Sequence, residues 1–137
     1  MGFEVRTTDY TGDAQASHAI SMGFSGTPQC ALVIEAAGAA PAYLKQHTTA
    51  DESFYSQVAG LQSDGIRSLD SGGITVGDSG DVNALGVAYV AFGLFSSDDA
   101  DLAVGSYAGA GGSGQTVTTG FQPSFVWIWA DNAFSTG

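Results

Sequence analysis

At 137 residues, with 44% hydrophobic and only 12% charged residues and 20 glycines, the chain is the size of one ordinary domain, and neither a disordered acidic tail nor a helical bundle dense in Lys and Glu. Its 14 acidic residues face only Arg6, Lys45 and Arg67, a formal charge of −11, and so few cations make nucleic acid and anionic membrane surfaces poor partners. No stretch reaches the roughly 18 to 20 apolar residues that cross a bilayer, nothing at the start reads as an export signal, and the single Cys30, inside "CALVI", excludes an internal disulfide and reads as a packed thiol.

The first 35 residues hold an alternating stretch, "ASHAISMGF", where His18 is expected to point outward from a strand, followed by the turn Gly23-Phe24 and Pro28. Residues 30–34 then form a strand apolar on both sides, the pattern of a central or sandwiched strand. From Ala36 to Gly60 the chain is rich in Ala, and Asp51 is placed to cap a short helix before Phe54, Tyr55 and Val58, with a long surface loop as the alternative. Residues 61–95 read as three strands: Ile66, Ile74-Thr75-Val76 and "VAYVAFGLF" stand between "SDG", "DSGG" and "DSGD", clusters that favour turns. The last is apolar on both faces, so Val90 and Phe92, with Leu32 and Ile34 of the earlier strand, are predicted among the most buried side chains.

Asp64, Asp70, Asp78 and Asp81 lie among these turn glycines, and oxygen-rich Gly turns are what Ca²⁺ requires. The spacing fits neither an EF-hand nor a nine-residue Ca²⁺ repeat, and Asp-Gly in strand turns is the commoner cause of such a pattern. Asp98, Asp99 and Asp101 form a second cluster that reads as a solvated linker.

The remainder returns to the beginning. "SYAGAGGSGQTVTTGFQPSFVWIW" aligns with "DYTGDAQASHAISMGFSGTPQCALVI". Tyr107 falls on Tyr10, Gly109 on Gly12, Val117 on Ile20 and Gly120-Phe121 on Gly23-Phe24. After a two-residue insertion in the first copy, Pro123 falls on Pro28, and Phe125, Trp127 and Trp129 on Cys30, Leu32 and Ile34. Residues 1–97 are thus expected to form one β-sandwich unit, and residues 98–137 an acidic linker with the start of a second copy, or strands that complete the first. At least one of Gly23 and Gly120 is predicted to have positive φ, so that Gly120→Val destabilises by about 1 to 3 kcal/mol. The expected fold is all-β, an antiparallel sandwich of six to nine short strands with at most one short helix, for which a jelly roll is one candidate topology.

These residues carry a resemblance. "YTGDAQASHAISMGF", "SLDSGGITVGDSGDVNALGVAYVAFGLF" and the returning "YAGAGGSGQTVTTGFQPSFVWIW" resemble a repeated β-domain of structural proteins of tailed bacteriophages. In that family a Tyr-x-Gly opening strand leads to a Gly-Phe-x-Pro turn and a Val-Trp-Ile strand, and an Asn-x-x-Gly-x-x-Tyr-Val-Ala strand closes the unit. The likeness covers residues 5–95 and 104–131, and departs at the two extra residues and missing Trp of "GFSGTPQCALVI" and throughout residues 36–62. It implies a virion component, a head decoration or spike or a part of the tail or fibre, with no enzymatic activity and with partners among virion proteins.

Catalytic patterns are thin. His18 and His47 can be paired on paper with Ser and Asp, but there is no Gly-x-Ser-x-Gly elbow and no HExxH. Trp127 and Trp129 can stack on sugar rings, which makes a carbohydrate-binding module for cell-surface attachment the alternative reading. A strand apolar on both faces is better explained by packing in a sheet or at a subunit interface, so Phe121, Phe125, Trp127 and Trp129 are expected to mediate self-association into a homo-oligomer. No cofactor is expected apart from the Ca²⁺ candidate.

Overall fold

The computed structural model describes residues 2–38, 42–46, 53–55, 61–98 and 101–128. Among them are nine strands and one short helix: β1 (Glu4–Thr11), β2 (His18–Ser21), β3 (Cys30–Glu35), β4 (Tyr43–Gln46), β5 (Ser53–Tyr55), β6 (Leu61–Gln62), β7 (Ile66–Asp70), β8 (Gly73–Val76), α1 (Gly80–Asn83) and β9 (Ala88–Phe95). They build an antiparallel β-sandwich. One sheet has the order β1-β9-β3-β4-β5-β6 and the other β2-β8-β7. The first strands wrap onto the last, β1 on β9 and β2 on β8, as in a jelly roll, but the hairpin extension through β4, β5 and β6 departs from its two four-stranded sheets.

The core lies between the sheets. Ile20, Met22, Phe24, Ile66, Ile74 and Val76 come from the small sheet and its loops, and Ala31, Val33, Tyr43, Tyr89 and Ala91 from the large one, with Val82 of α1 closing one end. Directly opposed residues of antiparallel strands share a face, so the pairs Val33 with Ala91 and Tyr10 with Tyr89 point inward, and Leu32 with Phe92 and Ile34 with Val90 point outward.

That register corrects one expectation. β3 and β9 are apolar on both faces, but only one face is covered by the second sheet. Ile34 is 40% exposed, and Leu32, Val90 and Phe92 are half-buried rather than among the most buried side chains. They are partly shielded because β9 and β3 are central strands, flanked by neighbours within their own sheet.

A second correction concerns the helix. Ser53–Tyr55 is a strand paired with β4, and the short helix is α1, capped by the Ser79 side chain accepting from the Asp81 amide. The Ser53 hydroxyl, fully buried, accepts from the Ile66 amide at 2.9 Å, a long-range bond that local helix propensity cannot offset. Asp51 and Val58 lie outside the described residues. Described residues 101–128 form no strand.

Candidate functional site

Two kinds of site compete for attention, a polar knot at one end of the sandwich and a set of apolar surfaces. The knot centres on Asn83, whose side chain is fully buried at the end of α1. Its Oδ1 accepts from the Asp13 amide and from His18 Nδ1, both at 3.0 Å, and its Nδ2 donates to Asp13 Oδ1 and to the Gln15 carbonyl, also both at 3.0 Å. Two donors and two acceptors exhaust what one amide offers. His18, which the alternating pattern sent outward, instead turns toward this amide, edge-on to Tyr10 at 5.6 Å and 3.4 Å from Asp13 Oδ1. The bond to an amide oxygen requires a proton on Nδ1.

The tyrosines extend the knot inward. Tyr10 stacks on Tyr89 at 5.3 Å, its hydroxyl donating to the Val82 carbonyl, while the Tyr89 hydroxyl donates to Gly80 and accepts from the Ala84 amide. Burial, with the neighbouring phenol of Tyr89, raises the Tyr10 pKa well above the usual range, and burial likewise raises that of Tyr89. The Gln15 amide, with the Asn83 amide and His18, holds the Asp13 carboxyl below its ordinary value. The bonds of His18, Asp13 and Asn83 run to one another and to backbone, which ties the β1–β2 loop to α1 and describes a brace.

The aspartates singled out in the sequence are not gathered. Asp70 accepts from the Ser68 and Thr75 hydroxyls at 3.1 and 2.7 Å, Asp64 from the Ser63 hydroxyl, Asp78 is exposed, and Asp81 sits in the first turn of α1. Among the described residues no three His, Cys, Asp or Glu side chains group closely enough to hold a metal ion. Cys30 lies in the sheet, and burial pushes its thiol pKa up to about 11.

Among the described residues two apolar surfaces stand out. One is the outer face of the large sheet, where Val5, Leu94 and Cys30, then Phe92, Leu32 and Leu44, then Val90 and Ile34 adjoin across β1, β9, β3 and β4. Asp9 is the charged residue opposite Val90 on this face. The other is the segment the sequence assigned to an interface. Phe125, Val126, Trp127 and Ile128 are 75, 60, 44 and 62% exposed, and Phe121 is half-buried. Trp129 lies outside the described residues. The turn glycines behave as expected at both copies, Gly23 at φ 73° and Gly120 at φ 83°, and Phe24 enters the core beside Phe95. Both glycines have open space around them and a left-handed backbone, so a side chain is strained at either. Because residues 101–128 form no strand, the strain at Gly120 falls outside the sandwich, and the cost to the sandwich is expected at Gly23, whose turn delivers Phe24 to the core.

Sequence reasoning missed Asn83 and its ring of partners. The signal that existed was the Asn at the head of "NALGVAY", which gives no hint of the loop it meets. No family model matches the chain, and neither a curated protein nor a solved structure matches it.

Proposed function

We propose that this chain is a non-enzymatic structural protein of a tailed-phage particle, a head decoration or spike or a component of the tail or fibre, that acts by associating with copies of itself and with other virion proteins. The observation that carries the reading is the display of residues 125–128 as exposed apolar side chains on a chain of net charge −11. Exposed apolar patches of this kind mark contact surfaces, and the surrounding negative charge keeps free subunits apart until such a patch finds its partner. The internal repeat and the resemblance of residues 5–95 and 104–131 to repeated virion domains support the same reading, as does the commitment of the His18, Asp13 and Asn83 side chains to bonds that brace the fold.

The experiment is light scattering of the purified chain across a concentration series, with immunogold imaging of particles from the source lysate. Association weakened by Trp127→Ala, together with label on particles, is expected. A monomer at every concentration and particles without label would refute the proposal. The exposed ring of Trp127 favours one second reading, a carbohydrate-binding module. Glycan binding that Trp127→Ala abolishes, without any change in association, would favour it over the first.

A further inference from the structure

Residues 107–128 repeat the pattern of residues 10–33, and the first copy reveals what that pattern fits. Tyr10 stacks on Tyr89. Gly12 passes so close to the end of α1 that a Cβ there would lie 2.1 Å from the Ala84 carbonyl oxygen, while its own amide donates to Val87 and its carbonyl accepts from Gly86. Ile20 lies opposite Ile74 of β8, and Leu32 opposite Phe92 of β9. Each feature matches a seat made by β8, β9 and the turn between α1 and β9.

The second copy keeps Tyr107, Gly109, Val117, Phe121 and Pro123, yet nothing lies within 4 Å of where a Cβ on Gly109 would stand. Its glycine answers no need of its own surroundings. The backbone agrees with the first copy at two equivalent positions: Ala14 and Gly111 have φ 56° and 68°, and Gly23 and Gly120 have 73° and 83°, whereas Gly114, at 80°, is left-handed in the second copy only. The loops also close at one place. His18 reaches back to Asp13, and its equivalent Gln115 accepts from the Ala110 amide at 3.0 Å and donates to the Ala108 carbonyl at 2.8 Å.

We infer that residues 107–128 are a second donor segment for a seat of the kind that residues 10–33 fill, and that its partner is such a seat on a second copy of this chain whose own first strands are out of place. Each chain carries two donors and one seat, so exchange between two complete copies gains no contact. A vacant seat gives net burial. Seated, Val126 and Ile128 take the inward places of Ala31 and Val33, and Phe125 and Trp127 take the outer-face places of Cys30 and Leu32. The choice of a second copy rests on the self-association proposed above; the equivalence of the two donors does not.

The test uses full-length chains. Gly12→Val empties the seat of its own donor, because the added side chain meets the Ala84 backbone. Gly109→Val is expected to melt like the unmodified protein, and Gly12→Val to keep a cooperative thermal transition because the second donor takes the seat. The double variant is expected to lose that transition. For the partner, the double variant carrying Thr75→Cys is refolded with a chain carrying Thr116→Cys, both with Cys30→Ser. Thr116 corresponds to Ala19, which lies opposite Thr75, and directly opposed antiparallel residues are within disulfide reach. A disulfide-linked heterodimer that disappears when the donor chain also carries Gly109→Val is expected. A Gly12→Val chain that melts no better than the double variant overturns the second donor. No heterodimer, or one indifferent to Gly109→Val, overturns the partner. A wild-type chain that is monomeric at every concentration sinks self-association as the function, while these variants still decide the donor.

Discussion

Replacing Asn83 by Ala removes four hydrogen bonds at once from a fully buried position. A hydrogen bond contributes about 0.5 to 1.5 kcal/mol net, and an abandoned buried partner costs more than an exposed one. Asp13 and His18 are half-buried and Gln15 is exposed, so water recovers part of the loss on the partners' side, and the sum comes to about 2 to 4 kcal/mol. For a domain of this size that lowers the melting temperature by roughly 10 to 30 °C. Far-ultraviolet circular dichroism in a urea titration is the suitable assay, since Trp127 lies outside the sandwich and its fluorescence is a poor reporter of the core. Asn83→Asp is a sharper companion. It keeps the shape but sets a carboxylate against Asp13 and the Gln15 carbonyl, where Nδ2 donated. Burial and the neighbouring carboxylate raise the folded-state pKa of the introduced group above its unfolded value, so its destabilisation is greatest at neutral pH and recedes as pH falls through that folded value. Asn83→Ala within about 0.5 kcal/mol of the unmodified protein would show that the knot is not a brace.

Other outcomes follow from single groups. Gly23→Ala should cost the sandwich about 1 kcal/mol, while Gly120→Ala, at an equally left-handed backbone but in a segment that forms no strand, should leave the unfolding transition unmoved; equal effects in denaturant titrations would contradict the different settings of the two turns. The phenols of Tyr10, Tyr43 and Tyr89 are all pushed up by burial. The native state therefore holds protons that the unfolded chain releases, so stability is level below about pH 10 and falls above it, readable as alkaline unfolding coincident with tyrosinate absorbance. Cys30, raised from 9.0 to about 11, should react with a thiol reagent at pH 8 about a hundred times more slowly than in urea; equal rates would mean that the thiol is open.

Much of the sandwich was legible because strand signals are local. The glycine clusters around Ile66 and Ile74–Val76 and the unbroken apolar run to Phe95 marked β7, β8 and β9 without reference to anything distant. The faces of β3 and β9 were not legible. A central strand of a large sheet can be apolar on both sides while only one side meets the other layer, and the number of strands in that layer is a tertiary fact. The strand at Ser53–Tyr55 was hidden for the same reason, since its buried hydroxyl answers an amide thirteen positions away. Of the candidate site, the glycine turns were readable from backbone chemistry. The Asn83 knot was not, because it joins the β1–β2 loop to the end of α1, about seventy residues away, and a single sequence carries no trace of that meeting.

The pairing of β1 with β9 also sets an order of events in time. The opening strand finds its neighbour only after the whole intervening chain has been made, and such non-local contacts place a domain among the slower folders. During synthesis β9 leaves the ribosome with residues 107–128 close behind it, on a tether much shorter than the one leading back to Thr11. Loop closure favours the nearer segment by an amount that grows only logarithmically with tether length. On the proposal that residues 107–128 are a second donor, the early strands keep their advantage by emerging first, since residues 4–35 are already waiting when β9 appears.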